Sequence, residues 1–303
     1  MKRGIFLLVF SVTVLSLSAQ RYGRWRRMRY EVIYAVGGTN FLGELGGANR
    51  EGSDFLRDFE VSQTRPLVQI GMRYKLYRDL AVKGALTVGY LHGDDATTTE
   101  PFRQHRNLRF RTPIIEFATQ IEYSIFTEKI GHRYSLRRIR GLRGFKANLY
   151  VFTGIAAFWF NPQGKYNGKW YNLQPLGTEG QGLIPTRPKY HRLQPSIPYG
   201  IGVKYGLDRR WSIGLEFGVR KTFTDYIDDV STTYYSGDAI RDAYGQEAAG
   251  LADPSISQTQ NEVGWTAAGQ QRGDATDNDT YMFMTINMVY KLRQTRRGLP
   301  KFR

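Results

Sequence analysis

The sequence predicts an antiparallel transmembrane β-barrel of eight strands, and three observations lead to this fold class. Eight segments alternate between apolar and polar side chains, the charges inside those segments share one face, and the connections differ in length. Alternation with period two is typical of strands whose two faces meet different surroundings. Long loops at one end and short turns at the other are typical of a barrel that crosses a membrane.

The N-terminus predicts export. Lys2 and Arg3 precede an apolar stretch, Ile5–Leu17, and small residues follow up to Ala19. This pattern is that of a secretory signal peptide, residues 1–19, cut near Ala19. An uncleaved anchor is the alternative, but the apolar stretch is short for a membrane helix. Export and a barrel together predict the cell outer membrane, and they make nucleic acid an unexpected partner.

The alternation is clearest in 67–76, where Val68 and Ile70 share one face and Gln69 and Arg73 share the other. Most of the segments have about the ten residues that a tilted strand needs to cross a bilayer. Segment 145–160 is apolar on both faces, so its register stays open. The eight segments are 31–38, 67–76, 82–90, 115–123, 145–160, 196–205, 211–220 and 282–291.

The charges within the strands test the register. A lipid-facing Arg or Lys at mid-bilayer costs about 2–4 kcal/mol, so a barrel must keep such residues inside. Because an eight-stranded barrel is narrow, we expect these side chains to pair and fill the lumen rather than to line an ion pathway. The nine on the polar face are Glu31, Arg73, Lys75, Lys83, Glu116, Glu122, Lys204, Glu216 and Arg220.

A soluble β-sandwich explains the alternation equally well, with its apolar face turned inward. It does not explain why aromatic residues recur on the apolar face at the same strand ends. Such residues are typical of the girdle at a membrane interface. They are Tyr74, Tyr123, Phe145, Tyr205, Trp211 and Tyr290.

The connections orient the barrel. Two turns, 78–80 and 208–210, are short, and four links are long. The short turns predict the periplasmic side, which also holds both termini. We expect a basic segment at 20–29, a barrel at 30–292 and a basic periplasmic tail at 293–303. The long links are 39–66, 92–112, 161–195 and 221–280, and we expect much of the last, a polar link, to be mobile.

The formal net charge of +16 is concentrated on one side. By this topology the periplasmic parts carry 21 bases and three acids, whereas the external loops carry 20 acids and 15 bases. A rim this basic indicates an anionic partner: membrane lipid, peptidoglycan or an acidic protein. The predicted partner-binding residues are Arg24, Arg26, Arg27, Arg133, Arg137, Arg138, Arg140, Arg143, Arg293, Arg296, Arg297 and Lys301.

Residues that could carry chemistry are few. With no cysteine, the chain has no thiol nucleophile. His92 precedes Gly93-Asp94-Asp95, but no serine stands beside it, and the run is ordinary turn composition. Acid-rich loop 225–229 could bind calcium, but it lacks EF-hand spacing, so a solvated loop is expected. We therefore predict no catalytic residue, cofactor or metal site, and no enzyme.

Three short stretches resemble a known family. They are 30–45, 73–83 and 297–302, which read YEVIYAVGGTNFLGEL, RYKLYRDLAVK and RGLPKF. They resemble the PorG-like, DUF6089-type family of outer-membrane barrels of the type IX secretion system, although Glu44 stands where Asp is expected. The resemblance implies a non-enzymatic accessory of protein secretion whose partners are periplasmic ring proteins of the PorK and PorN type. The alternatives are a structural barrel tethered to cell wall or lipid, and a lipid-modifying barrel enzyme.

Overall fold

The computed structural model describes residues 28–43, 45, 61–98, 100–127, 147–208, 210–256, 264–295 and 299–301. Within them the chain forms twelve strands and three α-helices. The strands are β1 (Tyr30–Leu42), β2 (Arg65–Lys75), β3 (Leu80–Asp94), β4 (Arg109–Phe126), β5 (Ala147–Phe160), β6 (Gln163–Tyr166), β7 (Lys169–Asn172), β8 (Leu193–Gly206), β9 (Trp211–Thr222), β10 (Thr280–Lys291), β11 (Arg293–Gln294) and β12 (Pro300–Lys301). The helices are α1 (Pro101–Arg106), α2 (Gly237–Tyr244) and α3 (Gln246–Ala252).

Eight strands close into one antiparallel barrel. Their order is β3-β2-β1-β10-β9-β8-β5-β4, and β3 also pairs with β4, which removes both edges of the sheet. The first and last wall strands meet along their whole length, from Glu31 opposite Lys291 to Leu42 opposite Thr280. The predicted eight-stranded antiparallel barrel is confirmed.

The apolar side chains of the wall face outward. In β2, Val68 is 58% exposed and its neighbour Gln69 is 5% exposed, so the polar residue lies inside. Apolar side chains are exposed on other wall strands too, among them Phe117, Ile201 and Leu215. This is the reverse of a soluble protein, whose apolar side chains face the core. An outward apolar surface with a polar interior is the arrangement of a transmembrane barrel. No helix in the described part of the chain is long and apolar enough to cross a membrane.

Aromatic residues gather at the end of the barrel with short turns, 76–79 and 207–210, called here the short-turn end. The Tyr30 and Tyr74 rings lie 4.8 Å apart, and those of Trp211 and Tyr290 lie 4.7 Å apart. Tyr123 and Tyr205 are half-exposed near the same end. The other predicted girdle residue, Phe145, lies outside the described residues.

The register of β5, left open by the sequence, turns Tyr150, Phe152 and Phe158 inward and leaves Ile155 72% exposed. Glycines of neighbouring strands make room for these rings. A Cβ atom at Gly202 would lie 2.3 Å from the Tyr150 ring. The segment is apolar on both faces because its inward face is aromatic.

The opposite end, called the long-loop end, carries folded loops. Strands β6 and β7 form a hairpin that pairs with β4, and α1, α2 and α3 lie in the links 95–108 and 223–279. The described part of the link expected to be mobile is packed instead: Ile227, Val230 and Ile240 are buried. Its apolar residues are scattered among polar ones, so no local pattern marks them as a core.

Candidate functional site

The lumen at the short-turn end is organised around Glu31. Its carboxylate accepts ion pairs from Lys75 at 2.7 Å, Arg73 at 2.8 Å and Lys204 at 2.9 Å. These partners come from β2 and from β8, on the far side of the lumen. Glu31 is fully buried, and the three cations satisfy a charge that would otherwise be costly to bury.

A second layer lies above Glu31. Arg73 also donates to Glu122 at 2.9 Å, and Lys83 reaches Glu216 at 2.6 Å. The Tyr150 hydroxyl donates to Glu216 at 2.9 Å. These contacts join β2, β3, β4, β5 and β9, so the layer ties the wall together across the lumen.

A third layer stands below the long loops. Glu116 accepts a hydrogen bond from the Tyr281 hydroxyl at 2.7 Å and pairs with Arg220 at 3.4 Å. The Arg220 guanidinium also lies 4.0 Å from the centre of the Phe283 ring, a cation–π distance. Polar and aromatic contacts meet in this layer.

All nine charged residues predicted for the interior lie in these layers, each in at least one ion pair. Lys291, which the sequence analysis counted with the periplasmic rim, is a tenth: it is 2% exposed, at the end of β10. The sequence pattern put it on the polar face, and the length of β10 keeps it inside. The described charged side chains fill much of the lumen with interlocked ion pairs.

An apolar cluster closes the lumen at the long-loop end. Phe41, Leu91 and Phe158 of the wall pack with Ile227 and Val230 of the loop after β9. Phe158 and Tyr281 meet edge to face at 5.4 Å, which joins this cluster to the third charged layer. The loops are therefore part of the same core as the barrel.

Buried ion pairs also hold the loops to each other. Arg106 pairs with Asp95 at 2.7 Å, and Arg272 pairs with Glu179 at 2.9 Å. Burial raises the pKa of Asp229 to about 6, although Arg272 opposes the shift, and raises the pKa of Asp225 to about 8 with help from neighbouring Asp228. These loop carboxyls are thus poised to titrate near neutral pH.

The expectation that loop 225–229 is solvated is wrong. Asp225, Asp228 and Asp229 are all buried. Asp229 accepts a hydrogen bond from the Tyr190 hydroxyl at 2.6 Å, and Asp228 accepts from the backbone of Leu45 at 3.3 Å. Among the described residues, no group of three or more histidine, cysteine or acidic side chains is arranged to hold a metal ion.

His92 lies on β3, with its Nδ1 2.5 Å from the Phe110 carbonyl oxygen. A cleft of about 260 Å³ lies nearby under the loops, with Asp94, Arg109 and Arg272 in its lining. Its described lining includes no serine, threonine or histidine. The described lining of this cleft therefore holds no Ser–His pair of the kind that many hydrolytic enzymes use.

The described part of the basic rim is small. Arg293 of β11 stands opposite Lys301 of β12 in a short hairpin. Arg29 and Arg210 donate to the hydroxyls of Tyr74 and Tyr290, each at 3.1 Å. The other predicted partner-binding residues lie outside the described residues: Arg24, Arg26, Arg27, Arg133, Arg137, Arg138, Arg140, Arg143, Arg296 and Arg297. The signal peptide, 1–19, lies outside them too.

The alternation of the sequence did not indicate the aromatic partners of the buried charges. Tyr150 and Tyr281 donate to carboxylates, while Phe152 and Phe283 face Lys83 and Arg220. The alternation in β10 could have identified Tyr281, because Tyr281 precedes Met282, which the sequence places on the apolar face, and therefore falls on the inward face. The same inference was not possible for Tyr150, because the sequence left the register of β5 open.

A closed wall with an apolar outer surface, a filled polar lumen and an end capped by loops defines the chain as a small transmembrane β-barrel protein. Residues 6–241 match the profile of a family described as "Domain of unknown function (DUF6089)". The chain belongs to this family. No curated protein matches the chain.

Solved structures share its outline at low identity. Ail, the attachment invasion locus protein of Yersinia pestis, is 9% identical over 87% of this chain and 99% of its own, with a TM-score of 0.37. OprG from Pseudomonas aeruginosa is 6% identical over 88% and 98%, with a TM-score of 0.37. The outer membrane enzyme PagL is 11% identical over 86% and 99%, with a TM-score of 0.30. At these values no ligand or activity is transferred to this chain.

Proposed function

We propose that the chain is an outer-membrane barrel that anchors or positions a periplasmic protein-secretion assembly, of the type IX class, through its basic periplasmic rim. The filled lumen is the observation that carries the proposal. A lumen occupied by ion pairs such as Glu31–Lys204 and Lys83–Glu216, and closed by an apolar core, offers no route for a solute. The function is therefore assigned to the surfaces at the two ends of the barrel.

The charge asymmetry points to the short-turn end. Transmembrane barrels have short turns in the periplasm, so the bases of this end face the periplasm. With Lys291 placed in the lumen, 20 of the 21 bases counted there remain. Their number suits an acidic protein surface, because complementary charge speeds and orients docking. Ring proteins of the PorK and PorN type are the proposed partners, on the family resemblance.

A non-enzymatic role accords with the cleft under the loops, whose described lining includes no serine, threonine or histidine. Cleavage of the signal peptide near Ala19 is part of the same proposal. Mass determination of the membrane-extracted protein tests it, since the mature chain should begin at Gln20.

Neutralising the rim tests the proposed docking. Arg137, Arg138, Arg140 and Arg143, all changed to Ser, should leave a heat-modifiable barrel that no longer co-purifies a periplasmic protein, and secretion should fall. The matched control changes four bases of the long-loop end. These are Lys169, Lys189, Lys221 and Arg241, each to Ser, and this variant should keep the partner. If the rim variant retains both partner and secretion, the docking proposal is wrong; if it loses only peptidoglycan, the rim is a wall tether.

Cysteine labelling tests the orientation separately. In intact cells, a thiol reagent that cannot cross the outer membrane should label Asp242→Cys in α2 but not Arg78→Cys in the turn 76–79. Both positions are exposed in the structure, so accessibility differs only by the side of the membrane. Labelling of Arg78→Cys alone would place the basic rim outside the cell and overturn the periplasmic partner.

A further inference from the structure

A second charged surface lies at the long-loop end, on the outside of the wall where β4 meets the β6–β7 hairpin. It consists of Arg111, Arg192, Trp159, Trp170 and three amide residues, Asn161, Gln163 and Asn172, and is called here the arginine–amide patch. Arg111 stands opposite Gln163 in the β4–β6 pair, and Gln163 stands opposite Asn172 in the hairpin. Strand pairing therefore sets the patch in one plane.

A chain of amide groups connects the two arginines. The Asn172 side-chain oxygen accepts hydrogen bonds from Asn161 and from Gln163, both at 2.9 Å. The side-chain oxygens of Gln163 and Asn161 in turn accept hydrogen bonds from the arginines. Arg111 donates to Gln163 at 2.9 Å, and Arg192 donates to Asn161 at 3.1 Å. Each guanidinium is oriented by a neutral oxygen, so its charge is not neutralised.

The tryptophans fix the other face of each guanidinium. Arg111 lies 4.1 Å from the centre of the Trp170 ring, and Arg192 lies 5.8 Å from that of Trp159. Neither arginine makes an ion pair with a carboxylate in the described part of the chain, in contrast to nearby Arg109, which pairs with Asp94. The patch is thus locally cationic at an end of the molecule whose loops are acidic overall.

The patch stands at the upper border of the lipid-facing surface. Trp159 pairs with Ile115 on one side and with Leu193 on the other, and Leu193 is 66% exposed. Ile155, farther down β5, is also exposed on the same face. Tryptophans at this border lie at headgroup level in membrane proteins, so the two guanidinium groups face the headgroup layer.

We propose that the arginine–amide patch binds the phosphate groups of a phosphorylated glycolipid, of the lipid A type, in the leaflet at the long-loop end. Planar guanidinium groups bind phosphate bidentately, and the amide oxygens use only Nε of Arg111 and Nη1 of Arg192, which leaves the other N–H groups for a ligand. Two arginines held through one chain of amides suit a headgroup with more than one phosphate. The proposal depends on the membrane-spanning wall and is independent of the secretion role.

Binding can be measured on the whole barrel in nanodiscs of zwitterionic lipid. Diphosphorylated lipid A should bind and raise the thermal unfolding midpoint, while the same lipid without its phosphates should do neither. Arg111→Gln with Arg192→Gln should weaken binding by about tenfold or more, the equivalent of one charge-assisted hydrogen bond. The control, Lys221→Gln with Arg241→Gln, removes the same charge elsewhere on the long-loop end and should bind normally.

Four outcomes would overturn the proposal. Equal binding of the phosphorylated and dephosphorylated lipid by the unaltered barrel would do so without any variant. Equal affinity in the two double variants would show that the patch is not the site. Stronger binding to a soluble sulfated polysaccharide, or full competition by inorganic phosphate at lipid concentrations, would assign the patch to a soluble anion. The heat-modifiable gel shift confirms that each variant is folded before it is compared.

Discussion

The two halves of the lumen solve the problem of filling a narrow barrel in different ways. At the short-turn end, Glu31 is held by ion pairs with Arg73 on the adjacent strand β2 and with Lys204 on β8, across the lumen. At the long-loop end, Phe41, Leu91 and Phe158 form an apolar core with the loops. The first half resembles a buried salt network and the second resembles the core of a soluble domain.

The difference indicates where each half gains its stability. Ion pairs in the lumen satisfy charges but stabilise only if every partner is present, since an orphaned buried charge is severely destabilising. The apolar half gains from the area that it removes from water, and it loses only in proportion to the volume deleted. Removal of one charged residue should therefore cause a large loss of stability in the charged half. In the apolar half, the loss should scale with the volume of side chain removed.

The largest effect is expected in the charged half. Glu31→Gln would leave Lys75, Arg73 and Lys204 sharing an uncharged partner, and should lower the free energy of unfolding by about 3–5 kcal/mol or prevent insertion. Urea unfolding in lipid vesicles measures this, with Glu100→Gln, a side chain that is 44% exposed, as the control. A loss below 1 kcal/mol would mean that water already compensates these charges.

The apolar half should lose somewhat less. Leu91→Ala removes a fully buried side chain from the cluster and should cost about 2–5 kcal/mol. The lipid-facing Leu193→Ala is the matched control and should cost much less, because no cavity forms. The same unfolding assay compares them; equal losses would show that the loops do not close over a packed core.

The wall itself separates the lumen from lipid. Leu215→Arg places a charge on the lipid side and should cost about 2–4 kcal/mol or reduce insertion, while Leu215→Phe should insert normally. Folded fraction by gel shift measures both. If the Arg variant is harmless, Leu215 does not face lipid. Gly202→Ser points into the lumen and should also destabilise the barrel, because the Tyr150 ring occupies the space that a side chain would need.

The smallest effect is expected in the loops, as a dependence on pH. The pKa of Asp225 is raised to about 8 by burial and by Asp228, and that of Asp229 is raised to about 6. Carboxyls with raised folded-state pKa values stabilise the loop fully below about pH 4, their unfolded value. This stability is lost as the pH rises, through about 6 for Asp229 and about 8 for Asp225.

Hydrogen exchange of the Val230 and Ser231 amides measures this loop stability. After correction for intrinsic rates, their protection should be higher at pH 5 than at pH 9. Asp225→Asn should abolish the fall in protection between about pH 6 and about pH 8, and should keep the fall that ends near pH 6. An unchanged profile in this variant would assign the pH dependence to other groups.

Much of the wall was predictable because its signal is local. Alternation in 67–76 and 211–220 reports which face each side chain takes, since successive residues of a strand point to opposite sides. The same alternation placed Lys83 and Glu216 in the interior before their partners were known. It failed at 145–160, where both faces are apolar, and it did not mark β6 and β7, which are only four residues long.

By itself, the sequence determined that the chain forms a barrel wall and which of its faces meets lipid. The tertiary structure alone decided the partners: Lys204 meets Glu31 across 173 positions, and Asp228 meets the backbone of Leu45 across 183. Such pairs depend on closure of the barrel, which no local pattern encodes. The buried state of Asp225 and the amide chain between Arg111 and Arg192 follow for the same reason, because each is assembled from segments that only the closed fold brings together.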